Sequence, residues 1–158
     1  MNEAERAYER ALTFLEKRDR TEREVFLKLS AAGFSEEAAE TVIEKLRDAG
    51  LVNDLDYAER YLEVLVLKGR GRLRISAEMR RKGLPEELVR NTLEDRLSTE
   101  DELVMAAEAA KRMMSGLTED TDPRKAAAKV NRKLVSLGFS YGVIGEAMRR
   151  LRIEEEEE

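Results

Sequence analysis

Apolar residues recur at helical spacing along most of this chain, and glycine interrupts the pattern at short intervals. Tyr8, Ala11, Leu12 and Leu15 form one stripe, and Ala39, Val42, Ile43 and Leu46 form another. Steps of three and four residues place each set on one face of a helix. Further stripes run through Tyr57, Tyr61, Val64 and Leu65, through Leu103, Ala106, Ala107, Ala110 and Met114, and through Ile144, Ala147, Met148 and Leu151. No segment has the Val/Ile/Tyr/Thr alternation of a half-buried strand. The pattern predicts an all-α protein.

Three strings repeat: LSAAGFS at 29–35, MRRKGLP at 79–85 and LVSLGFS at 134–140. Four residues before the glycine stands Leu29, Met79 or Leu134, and eight before it Val25, Ile75 or Val130. Ten residues after it stands Ile43, Leu93 or Met148. Such a string reads as a helix ending at a left-handed glycine, with a new helix starting at once. Ser35 and Ser140 suit the following N-caps, and Pro85 suits a first turn. Thr21-Glu22-Arg23-Glu24 has the form of a capping box. Asn53-Asp54, Ser98-Thr99 and Thr121-Asp122-Pro123 mark further starts.

The result is nine helices in three tandem three-helix repeats: 3–52, 53–97 and 98–153. One such unit buries little apolar surface alone, so neighbouring units are expected to stack in an elongated or curved arrangement. The closing run EEEEE, 154–158, repels itself and is expected to be a disordered acidic tail that aids solubility.

Composition narrows the chemistry. The chain has neither cysteine nor histidine, which removes thiol nucleophiles, disulfides, the usual zinc ligands and the commonest general acid–base. Asp54 and Asp56 are the one tempting carboxylate pair, but at a predicted helix start they read as caps. Tyr57 and Tyr61 read as core residues with polar tips, and Met105, Met113 and Met114 as adaptable core filler. No enzyme, cofactor, catalytic residue or metal site is expected. With no apolar run long enough to span a bilayer and a charged beginning, a cytoplasmic location and no membrane partner are expected.

Charge then singles out one segment. The chain carries net charge −5, yet residues 68–82 hold seven basic residues and one acid. Lys68, Arg70 and Arg72 surround Gly69 and Gly71 at the start of a helix, and Arg74, Arg80, Arg81 and Lys82 follow along it. On a helical projection Arg74 and Arg81 lie opposite Ile75 and Met79, so both should point outward. Cations at a helix N-terminus oppose its dipole, a local cost that an anionic partner would reverse. Free amides and glycines there would suit phosphates. At the positions of Arg74 and Arg81 the first repeat has Glu24 and Ala31 and the third Lys129 and Ser136, so the fold does not require positive charge. A solvated arginine-rich face is the competing reading. No aromatic interleaves the cations, which argues against a base-stacking platform and favours an acidic protein surface, with DNA phosphates contacted weakly.

The ordered combination of Ala11-Leu12, Leu15, Arg18, Thr21, Glu24, Leu29, Gly33, Ile43, Leu46, Gly50-Leu51, Asp54 and Tyr57-Ala58, then Lys68-Gly69-x-Gly71 and Arg81-Lys82-Gly83-Leu84, resembles the RecX family. The likeness covers nearly the whole chain and is weakest at 98–125. It implies a tandem three-helix-repeat protein that binds the RecA–DNA filament and acts as a negative regulator of recombination and co-protease activity. With the RecA–DNA filament as the implied partner, the basic residues Lys68, Arg70, Arg72, Arg74, Arg80, Arg81 and Lys82 are the expected filament- or DNA-facing residues, and a monomer is expected. A helical-repeat adaptor, or a helix-turn-helix-like DNA binder without a recombination role, is the alternative.

Overall fold

The computed structural model describes residues 1–118 and 120–157, and among them nine helices and no strand. In chain order these are α1 (Glu3–Lys17), α2 (Glu22–Ala31), α3 (Glu36–Asp48), α4 (Asp54–Leu67), α5 (Arg72–Arg81), α6 (Glu86–Arg96), α7 (Thr99–Ser115), α8 (Pro123–Ser136) and α9 (Tyr141–Glu157). The starts follow the expected caps. Thr21 accepts from the Glu24 amide while the Glu24 carboxylate accepts from the Thr21 amide, a closed capping box. Ser98 and Asp101 repeat it at α7. Ser35 and Asp122 cap α3 and α8, the latter with Pro123 in the first turn. No helix among the described residues is long and apolar enough to cross a membrane.

The chain divides into two compact units, residues 1–61 with 79–89, and residues 62–78 with 90–158. In the first, Ala7 and Ala11 of α1, Val25 and Leu29 of α2, and Ala39, Val42 and Leu46 of α3 bury completely around one core. Small residues on α1 let it lie close against α3, while Tyr8, Leu12 and Leu15 close the margin. In the second, Ala106 and Ala110 of α7, Val130 and Leu134 of α8, and Ile144, Ala147 and Leu151 of α9 do the same, with Phe139 at the α8–α9 turn. The helical stripes predicted for α1, α3, α7 and α9 therefore face inward.

Two expectations need correction. The buried face of α4 is Ala58, Leu62 and Leu65, whereas Val64 is 44% exposed. Tyr57 and Tyr61 flank that face instead of defining it, with rings edge-to-face at 5.9 Å. Large apolar residues attracted the stripe one position away from the smaller Ala58. The acidic run also differs, because α9 continues through Glu157, with Glu154 3.1 Å from Lys111 Nζ. Glu158 lies outside the described residues.

The glycine strings do more than end helices. Gly83 and Gly138 have φ of +81° and +99°, and each is followed by an amide that reaches back five residues, Leu84 to Met79 and Phe139 to Leu134. Each turn also receives the start of an earlier helix. In the first unit, buried Thr21 donates its hydroxyl to the Lys82 carbonyl at 2.6 Å. In the second, the Gly71 amide donates to the Leu137 carbonyl at 2.7 Å and the Leu73 amide to the Gly138 carbonyl at 3.0 Å. Orphan carbonyls at a helix end thus meet orphan donors at a helix start, with opposite ends of two dipoles in register.

The approach is tight enough to exclude side chains. A Cβ on Gly138 would stand 2.3 Å from Arg74 Cβ and 2.6 Å from its amide nitrogen. A Cβ on Gly71 would stand 2.6 Å from the Gly138 carbonyl. Gly138→Ala is therefore expected to lower stability by about 2–4 kcal/mol, combining left-handed strain with overpacking. Gly145→Ala, in open space on α9, should raise it by about 0.5–1 kcal/mol. Urea unfolding of the two variants beside the parent reads both effects.

Candidate functional site

Helix α5 and the turn before it carry the basic segment. Gly69, at φ +77°, ends α4, and Gly71 provides the close approach to the α8–α9 turn. The Gly-x-Gly pair therefore serves chain reversal and packing. The amides expected to be free for phosphate at the start of α5 are partly taken, since those of Gly71 and Leu73 are bound to Leu137 and Gly138 carbonyls. A long-range backbone contact supplies what an anion would have supplied.

In the second unit the four leading cations have distinct surroundings. Lys68 is exposed, and Arg70 folds back to donate to the Lys68 carbonyl at 3.1 Å. Arg72 reaches inward. Its Nε donates to Glu102 Oε1 at 2.8 Å, and its Nη2 donates to the Leu97 carbonyl. Glu102 is 4% exposed, so this is a partly buried ion pair joining the start of α5 to the start of α7. Arg74, expected to point outward, lies on Gly138 and donates to the Ser136 carbonyl at 3.1 Å, with Glu78 3.7 Å away. The last turn of α8 leaves that carbonyl without an intrahelical donor, and the guanidinium supplies one.

In the first unit Arg80 pairs with Glu86 at 2.6 Å. Arg81 is exposed, and Lys82 Nζ stands 5.7 Å from the centre of the Tyr61 ring. The seven cations are therefore unequal. Arg72 holds helices together, Arg74 does so in part, and Lys68, Arg80 and Arg81 present the most accessible charge. Several apolar side chains near these cations also face solvent. Leu67 is 88% exposed and Leu73 58% in the second unit, a pairing of apolar and basic groups suited to a protein partner.

Residues 7–46 match the family model described as RecX, first three-helix domain, and residues 53–93 match RecX, second three-helix domain. A regulatory protein RecX of Amycolatopsis mediterranei is 34% identical over 148 residues, covering 91% of this chain and 84% of that protein. The chain belongs to the RecX family. The regulatory protein RecX of Clostridium perfringens strain 13 is 34% identical over 142 residues, 89% of this chain. The chain spans 66% of that longer relative. The crystal structure of RecX from Lactobacillus salivarius superposes with a TM-score of 0.85 at 25% identity, covering 96% of this chain and 97% of that one. The RecX match at 53–93 contains the whole basic segment.

Two supporting groups in this RecX chain escape sequence reasoning. Glu102 is an acid among the apolar residues of α7, and its oddness in that stripe is the only local signal of its pairing with Arg72. Asp54 begins α4 yet serves α2, accepting from the Glu22 amide at 3.0 Å. Asn53 takes the α4 capping role instead, accepting from the Asp56 amide at 3.0 Å. Burial raises the Asp54 carboxyl to about 6, against the lowering effect of the Glu22 amide, and the Glu22 carboxylate raises it further.

Arg72→Ala should cost about 2–3 kcal/mol of stability by leaving the Glu102 charge buried without its partner. Adding Glu102→Gln should restore much of the loss, as thermal or urea unfolding will show. Asp54 gives a pH signature of opposite sign to the usual salt-bridged carboxylate. Its folded-state value of about 6 lies above its ordinary 3.8, so the folded protein binds the proton more tightly. Ionisation costs stability above pH 6, and the cost fades as pH falls toward 3.8. After allowance for partial solvent access, Asp54→Asn should be about 1 kcal/mol more stable than the parent at neutral pH. The gain should disappear near about pH 4 in paired urea titrations.

Proposed function

We propose that this chain is a non-enzymatic negative regulator of the RecA recombinase, acting in the cytoplasm as a monomer on the RecA–DNA filament. Membership of a family of regulatory proteins, with both three-helix models matched and the basic segment inside the second, carries the reading. The three repeats, 3–52, 53–97 and 98–153, serve as successive contact modules. The middle repeat meets acidic surface on RecA and, weakly, DNA phosphates through Lys68, Arg70, Arg74, Arg80, Arg81 and Lys82. Arg72 contributes by fixing the start of α5.

Accessible charge of this kind works mainly by steering and orientation, while nearby apolar groups resist dissociation. In the second unit Lys68 supplies charge, and Leu67 and Leu73 supply the apolar contact; in the first unit Arg81 supplies charge. Occupying the filament then alters its growth, its disassembly or the access of the co-protease substrate.

The test is the single-stranded-DNA-dependent ATPase of the cognate RecA, with the parent titrated beside Lys68→Glu/Arg81→Glu. Those two positions avoid the Arg72 and Arg74 contacts that hold helices together. The parent should suppress turnover, and the variant should need about tenfold more protein for the same effect. Equal potency of the two moves the contact away from this segment. No suppression by the parent overturns the recombination role.

A further inference from the structure

Helix α8 is more one-sided in charge than α5. Its fourteen residues carry five cations, Arg124, Lys125, Lys129, Arg132 and Lys133, and no acid. The second unit places three of them along a cleft of about 580 Å³ between α7 and α8, with Arg112 of α7 on the opposite side. The floor is apolar, formed by Met113, Leu117 and Val130, and Gly116 leaves its edge open. The volume lies in the ordinary range for binding pockets.

The cations of this cleft differ from those of α5. Arg72, Arg74 and Arg80 each have a carboxylate within ion-pair distance. No acid pairs with the side chains of Arg112, Lys129, Arg132 or Lys133 among the described residues, and all four are exposed. Among the described residues no acidic side chain lines the cleft. Four exposed cations around an apolar floor repel one another, and an anionic guest relieves that repulsion more fully than mobile counterions do.

The form of the guest follows from the lining. Among the described lining residues none is aromatic, so a base has nothing to stack on. The cleft also lies beside the end of α7, where Gly116 caps the helix; the terminal carbonyls disfavour phosphate and carboxylate alike, so the apolar floor is what favours a peptide guest. Lys129, Arg132 and Lys133 follow the i, i+3, i+4 spacing of one helix face, a row about 6 Å long. A flexible methionine and a leucine suit an aliphatic or aromatic side chain of unspecified shape.

We infer that the α7–α8 cleft of the third repeat is a docking site for an acidic peptide segment of a partner protein, one that inserts a large apolar side chain between flanking Asp or Glu residues. The apolar anchor sits over Met113, Leu117 and Val130. The flanking carboxylates meet Arg112 on one side and Lys129, Arg132 and Lys133 on the other. This surface is independent of the α5 segment and of the recombination reading.

The experiment is fluorescence anisotropy with the full chain and a labelled pool of peptides of roughly twelve residues, about three helical turns. All other positions are Asp, Glu or Ala, and one central position is Leu, Ile, Met or Phe. A matched pool has Ala at the centre, and a thymidine oligonucleotide of similar charge is the third probe. The anchored pool should bind about tenfold more tightly than the Ala pool. Lys129→Glu/Arg132→Glu should abolish that binding, and Leu117→Asn should remove the preference for the anchor while leaving weak charge-dependent binding. Helical circular dichroism keeps the variants comparable, since all three positions lie outside the fully buried core. Equal binding of the two pools, or anchored binding unchanged in the charge-reversal variant, overturns the proposal. Tighter binding of the oligonucleotide than of the anchored pool, lost in that variant, also overturns it and makes the cleft a nucleic-acid site.

Discussion

The contact between a helix start and the glycine turn of a later repeat is the constraint from which the rest of the structure follows. A helix of ten residues, as α2 and α5 are, has four orphan donors at one end and four orphan acceptors at the other. Neither helix buries much surface alone. Their stability depends on meeting groups of opposite polarity, and the glycine turn presents them. At positions 21 and 71 the same need is met in two ways. Thr21 bridges with its hydroxyl to the Lys82 carbonyl, whereas Gly71 removes the side chain and lets the backbones touch.

This contact explains the unequal roles of the basic residues. Arg72 and Arg74 lie within the first turn of α5, beside Leu97, Glu102 and Ser136, so their guanidinium groups reach carbonyls and a carboxylate before they reach solvent. Charge on that stretch of sequence is thereby divided into cations that assemble the unit and cations that remain exposed. The α7–α8 cleft is the reverse case. Among the described residues no acid lines it beside Arg112 of α7 and Lys129, Arg132 and Lys133 of α8, and Met113, Leu117 and Val130 form an apolar floor between them.

Much of this was legible in the chain, but unevenly. The nine starts and ends could be read because caps and glycine turns are local chemistry, completed within four or five residues. Gly69-x-Gly71 could not be read correctly, because the reason for Gly71 lies at Leu137 and Gly138. Asp54 has the same character: a residue at the start of α4 whose partner is the first amide of α2. The basic content of α8 was open to counting, but not its placement along an apolar cleft. Which of its cations stand without an acid beside them depends on where α7 places its own carboxylates.

The sequence by itself determined the helices, their caps, their repeat and the family, since each is encoded by residue types at short separations. The tertiary structure decided which arginines are pillars and which are surface, whether helix-start amides are free, and where an apolar floor lies open beneath unpaired charge. The first two are properties of groups some 25 to 66 residues apart in the chain, as with Arg72 to Leu97 and Gly71 to Leu137. Their electrostatics depend on distance and solvent exclusion, which no periodicity in the sequence expresses.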